Sequence, residues 1–224
     1  MGKDLYAALS GAYTSMRRLD TVAQNLANVS TTGYKGQRLT MEATGKEGAY
    51  ARIAEGLYDM RDGAVVSTDH PTDVALQGDG WLVLDGGDGV LLTRDGRLRP
   101  DPEGTLRDPN GRAVMGQAGA IQVPPGETIR IEADGTVVGS ASGPYDRLRV
   151  VTAEAAPLGG NVWAPQGPTN DIPAGDVHMV PGAVEGSNVD AMQAMVELVE
   201  AKHVAEERAY TRAGPGPLPV NVWG

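Results

Sequence analysis

The chain has 224 residues, room for one compact domain with extensions, and 41% of them are apolar although Phe and Cys are both absent. A formal net charge of −10 argues against binding to nucleic acid or to an anionic membrane surface, and the missing cysteines exclude disulfides and thiolate metal sites. No apolar run approaches the roughly 20 residues that span a bilayer, and the opening stretch lacks the apolar stretch of a cleaved signal peptide, so neither membrane insertion nor a cleaved leader is expected.

The N-terminus reads as a helix. Leu5, Leu9, Ala12, Met16, Leu19, Ala23 and Leu26 step by alternating four and three, a heptad seam narrower than the stripe of an ordinary globular helix. The helix is expected to stop near Asn28, because Ser30, Thr31, Thr32 and Gly33 supply caps and a turn but no further periodicity. Residues 1–36 therefore form the helix and its turn, and residues 37–62 read as an extended connector.

Residues 63–180 read as an antiparallel β-domain. Gly78-Asp79-Gly80, Asp88-Gly89, Asp95-Gly96, Asn110-Gly111 and Asp134-Gly135 punctuate it as turns. Between them lie short apolar or alternating runs at residues 81–84, 90–93, 128–131, 136–138 and 148–152. Such a core rests on Val, Leu, Ile, Ala and Met, with Trp as the large anchors.

Residues 181–213 hold a second helix. Val189, Met192, Val196, Val199, His203 and Tyr210 continue the same spacing, with polar Glu206 at the intervening seam position, Ser187 and Asn188 as expected caps and Asp190 in the first turn. Residues 214–224 form a Gly/Pro-rich tail that cannot be helical. The fold class is thus mixed α+β, with N- and C-terminal heptad-patterned helices flanking an antiparallel all-β central domain. Each seam must bury its stripe, either against the other within one chain or against neighbouring copies, and the second arrangement makes a polymer.

Chemistry is scarce. His70, His178 and His203 lie far apart, in no ligand spacing, and the Gly/Asp clusters at residues 78–80 and 85–89 lack the regular oxygens of a calcium loop and read as hairpin turns. No nucleophile motif, P-loop or dinucleotide fingerprint occurs, so no catalytic, cofactor or metal residue is assigned and no enzyme is expected.

The run from Leu19 to Gly36 closely resembles the N-terminal signature of flagellar rod and hook axial proteins, carried by Asn25, Leu26, Ala27, Asn28, Thr32, Gly33, Tyr34 and Lys35. Residues 73–84, continued by Leu92-Thr93-Arg94-Asp95-Gly96, resemble the opening of that family's β-domain, and residues 182–189 resemble the segment before its C-terminal helix. The wording of residues 73–81 is most similar to the proximal-rod branch. Distal-rod or hook-like axial proteins are the alternative, and a secreted β-rich binding module is the second. The resemblance implies a structural, cofactor-free subunit of the periplasmic basal-body rod, exported by the flagellar type III apparatus. Its partners would be further copies and neighbouring rod subunits, engaged through the two seams. One departure stands out: the C-terminal helix is cut short by Gly214-Pro215-Gly216-Pro217.

Overall fold

A computed structural model describes residues 2–44, 50–176 and 178–213, and side-chain surroundings over residues 10–40, 57–173, 175–176 and 178–206. The chain runs α1 (Gly2–Ala27), β1 (Gln37–Thr44), β2 (Tyr50–Tyr58), β3 (Val65–Ser67), β4 (Val74–Gln77), β5 (Trp81–Asp85), β6 (Val90–Thr93), β7 (Arg99–Pro100), β8 (Leu106–Arg107) and β9 (Ile129–Ile131). It continues through β10 (Thr136–Gly139), β11 (Gly143–Arg147), β12 (Val150–Thr152), β13 (Ala155–Gly159), β14 (Val162–Pro165), β15 (Asn170–Asp171), β16 (His178–Pro181), β17 (Ala183–Glu185) and α2 (Ala191–Ala213). The α+β class holds, and the paired strands are antiparallel. Two compact units result: α1, α2 and the β1–β2 hairpin form one, and Ser30–Lys35 with Arg61–Asn188 form the other.

In the helical unit α1 packs on α2 and on the hairpin. The stretch read as an extended connector is paired: Gln37 lies opposite Tyr58 and Thr44 opposite Tyr50. Asn25 secures the start of that hairpin, donating to the Gln37 carbonyl at 2.8 Å and accepting from the Gln37 amide at 2.9 Å. Its amide thus acts as a piece of strand edge, whereas Asn28 turns back on the Gln24 carbonyl at 2.9 Å and closes the helix as expected.

The buried helix faces are offset by one or two residues from the apolar seams. Thr14, Ser15, Thr21 and Val22 are buried on α1, and Ala194 and Ala201 on α2. These are small side chains, which let helices approach closely, and the hydroxyls are satisfied by carbonyls four residues back: Thr14 on Ser10 at 2.7 Å, Ser15 on Gly11 at 3.0 Å and Thr21 on Arg17 at 2.9 Å. Met16, Ala23, Met192, Val196 and Val199 are exposed, while Ala12, Leu19, Leu26 and Val189 are half-buried. The side chains of Leu5, Leu9 and Tyr210, and all of residues 214–224, lie outside the described residues.

In the β-unit a six-stranded sheet runs β13-β14-β6-β5-β12-β15, beside a three-stranded sheet β11-β10-β9 and the pairs β16-β4, β17-β3 and β7-β8. Val74, Leu76, Leu82, Leu84, Leu98, Leu106, Val114, Ile121, Val137 and Leu148 fill one continuous core. Trp81 on β5 and Trp163 on β14 pack with ring centroids 5.0 Å apart and planes tilted by 45°. Asp134-Gly135 makes the expected hairpin turn, with Gly135 at φ +83. Asp95-Gly96 does not. There β6 ends and the chain passes so close to β4 that a Cβ on Gly96 would lie 1.6 Å from the Val74 carbonyl oxygen, so this glycine serves proximity rather than a positive φ.

Candidate functional site

Two features of the described residues exceed what folding requires: an apolar stripe left in solvent on the helices, and a cluster of charges buried in the β-unit.

The stripe combines α2 and α1 positions. Met192 is 77% exposed, Val199 69%, Met16 64% and Val196 58%. On α2 these residues recur at spacings of four and three, so they lie on one side of the helix, away from Ala194 and Ala201.

The charge cluster is built from three distant segments. Residues 30–35 lie against the β-unit, where the Gly33 amide donates to the Glu185 carbonyl at 2.7 Å. Gly33 sits at φ +67, and a Cβ there would lie 2.6 Å from the Arg94 carbonyl carbon, so both its conformation and its surroundings demand glycine. Asn161 donates to the Thr32 carbonyl from the other side. The turn points Lys35 inward. Its Nζ is fully buried and donates to Glu185 Oε1 at 2.7 Å and to the Arg61 carbonyl at 2.9 Å.

Glu185, at the end of β17, also accepts from the Gly63 amide at 2.9 Å and, through Oε2, from Arg94 at 3.3 Å. Arg94 is buried as well. Its Nη2 donates to the Gly78 carbonyl at 2.6 Å and its guanidinium lies 5.6 Å from the Trp81 ring. Asp62 completes the set, 3.6 Å from Arg94 and 4.0 Å from Lys35, while accepting from the Gly78 amide at 2.8 Å. Two cations face two carboxylates, so the cluster is neutral as a whole.

Of the residues singled out from sequence, Thr32, Gly33, Tyr34 and Lys35 come together here, whereas Asn25, Leu26, Ala27 and Asn28 belong to the helical unit. Arg94 and Glu185 stood inside motif segments without a role, and Asp62 was not singled out. A legible signal existed: Arg94 and Glu185 each end a short apolar strand run, Leu91-Leu92-Thr93 and Ala183-Val184, where a solvated charge is out of place. His70 lies in a turn before β4, His178 on β16 and His203 on α2. Among the described residues no group of three or more His, Asp or Glu is placed to hold a metal ion, and no helix is long and apolar enough to cross a membrane.

Comparison with known proteins agrees with the arrangement of motifs. The family described as flagella basal body rod protein matches residues 5–35, and that described as flagellar hook protein FlgE/F/G D1 domain matches residues 75–139. The chain is 33% identical to the flagellar basal-body rod protein FlgF of Escherichia coli (strain K12), over 89% of this chain and 88% of that one. It is 32% identical to FlgF of Salmonella typhimurium, again over 89% and 88%. The flagellar basal-body rod protein FlgG of Bacillus subtilis (strain 168) is 31% identical, over 61% of this chain and 60% of that one. The chain belongs to the flagellar basal-body rod protein family.

Proposed function

We propose that this chain is a structural subunit of the flagellar rod, in its proximal part, and that it polymerises through its two terminal helices with further copies and with neighbouring rod subunits. The carrying observation is the exposed stripe of Met16, Met192, Val196 and Val199. An apolar surface on helices that already bury another face is of no benefit to an isolated chain, and it calls for a partner surface. A heptad-spaced seam meets that need with helices of adjacent subunits. On this reading the protein works in the periplasmic rod without cofactor or catalysis. It arrives there through the flagellar type III export apparatus.

The test is complementation of a strain deleted for this protein. Met192→Asp with Val196→Asp places carboxylates on the stripe. Both residues are exposed, so the isolated protein should keep its unfolding midpoint, while swimming is lost because the assembled contact would bury unpaired charge. Gln193→Asp adds the same charge one residue off the stripe and should swim normally. Export of each variant is measured separately. Normal swimming by the double variant would sink the proposal.

A further inference from the structure

The contacts around Glu185 form a group of their own. Gly33 donates to its carbonyl at 2.7 Å, Gly186 donates to the Ala64 carbonyl at 2.8 Å, and Asn188 donates to the Tyr34 carbonyl at 3.3 Å. The Gly63 amide and Lys35 Nζ both reach Glu185 Oε1, at 2.9 and 2.7 Å, and the Asn188 side chain donates to the Arg61 carbonyl at 2.9 Å. None of these bonds belongs to the six-stranded sheet. They tie residues 30–35 and 61–64 to residues 183–188 around the charges of Lys35, Arg94, Glu185 and Asp62.

We propose that this cluster is a clasp: a two-state element that locks residues 30–35 to residues 183–188 and opens as one piece while the apolar core of the β-unit stays folded. The inference does not depend on the assembly reading.

Three arguments carry it. Burying three charges, with Asp62 at their edge still 40% exposed, is a poor route to stability, since well-packed apolar groups would do as well; what charges add is direction, because Lys35 and Arg94 are met only when Glu185 stands in one register. The alternatives to the closed state are also discrete. A Cβ on Gly63 would lie 2.0 Å from the Gly186 carbonyl oxygen and one on Gly33 2.7 Å from that of Arg94, so the segments either seat fully or separate. Finally, opening is cheap here. Separated charges regain hydration that an opened apolar core does not, Arg94 Nε has no acceptor to lose among the described residues, and the pairing of β17 with β3 spans only Ala183–Glu185.

The clasp holds the segments that follow α1 and precede α2, so its state decides whether those segments are fixed or free on the β-unit. That makes it a built-in point of conformational control.

Native-state hydrogen exchange on the full chain, in rising urea, tests it. The amides of Gly33, Gly63, Gly186 and Asn188 should share one opening equilibrium. They should exchange more than about tenfold faster than those of Leu106 and Met115, which lie in the core region. Val137→Ala, in the core shared by the open and closed states, should speed Leu106 and Met115 by about tenfold or more and leave the first four unchanged. Exchange of the four with unrelated opening equilibria, or together with Leu106 and Met115, would overturn the proposal, as would equal acceleration of all six by Val137→Ala. Should Val137→Ala not fold, the wild-type pattern decides by itself.

Discussion

Glu185 accepts from a lysine, an arginine and a backbone amide while fully buried, so its charge matters more than its place at the end of a three-residue strand suggests. Glu185→Gln keeps the shape and removes the charge, leaving Lys35 and Arg94 to share Asp62. The expected loss is about 3–5 kcal/mol, read from urea unfolding of the full chain. A loss below about 1 kcal/mol would mean that the buried charges are compensated by groups other than Glu185. Carboxylates nearer the surface act differently. The hydrogen bond from Arg107 holds Asp101 below the usual carboxylate range, the Tyr145 hydroxyl does so for Glu127, and the Thr136 amide does so for Asp134. Each folded-state pKa is lowered, so each contribution to stability is complete above the ordinary carboxylate value and fades as pH falls through the folded one. The thermal midpoint should therefore be flat from neutrality to about pH 5 and decline below about pH 4. A midpoint that rose on acidification would contradict this assignment.

At the scale of elements, the start of α2 is set by Asp190 and not by Ser187 or Asn188. Asp190 Oδ1 accepts from the Gln193 amide at 3.0 Å, and the Asp190 carbonyl accepts the first helical bond from Ala194 at 2.9 Å. Asn188 is drawn instead to the Arg61 and Tyr34 carbonyls of the β-unit. Asp190→Ala should cost about 1 kcal/mol of α2 stability, seen as faster amide exchange in its first turn, and Asn188→Ala should leave that turn unchanged. The faces of the helices carry a second lesson. Periodicity finds the apolar side, yet Ser15, Val22, Ala194 and Ala201 are the residues buried within one chain. Small side chains win that place because two backbones can come close there. The larger Met16, Met192, Val196 and Val199 side chains remain in solvent.

For the molecule as a whole, the β-unit draws strands from beyond the turn-rich middle of the sequence. β14 is inserted between β13 and β6, β16 pairs with β4, and β17 pairs with β3 while delivering Glu185. A fragment of residues 30–188 should thus unfold cooperatively on its own. One of residues 63–180 lacks Lys35, Asp62 and Glu185 and should be markedly less stable by urea unfolding, with its Val65–Ser67 strand unpaired. Equal midpoints for the two fragments would show that residues 30–35 and 183–188 contribute nothing to the unit.

Local chemistry was enough to read the α+β class, the strands at residues 81–84, 90–93 and 136–138, and the end of α1. Short apolar runs, Asp-Gly turns and an asparagine-closed helix act over a few residues, and the same few residues spell them out. The rod-family resemblance was equally legible, in motifs that the chain states outright. Tertiary structure alone decided the partners. Asn25 finds Gln37, Asp95-Gly96 turns from hairpin to close crossing, and Lys35 meets Glu185 across 150 positions of sequence. Long-range contacts depend on where the chain returns in space, and no spacing along the sequence encodes that return.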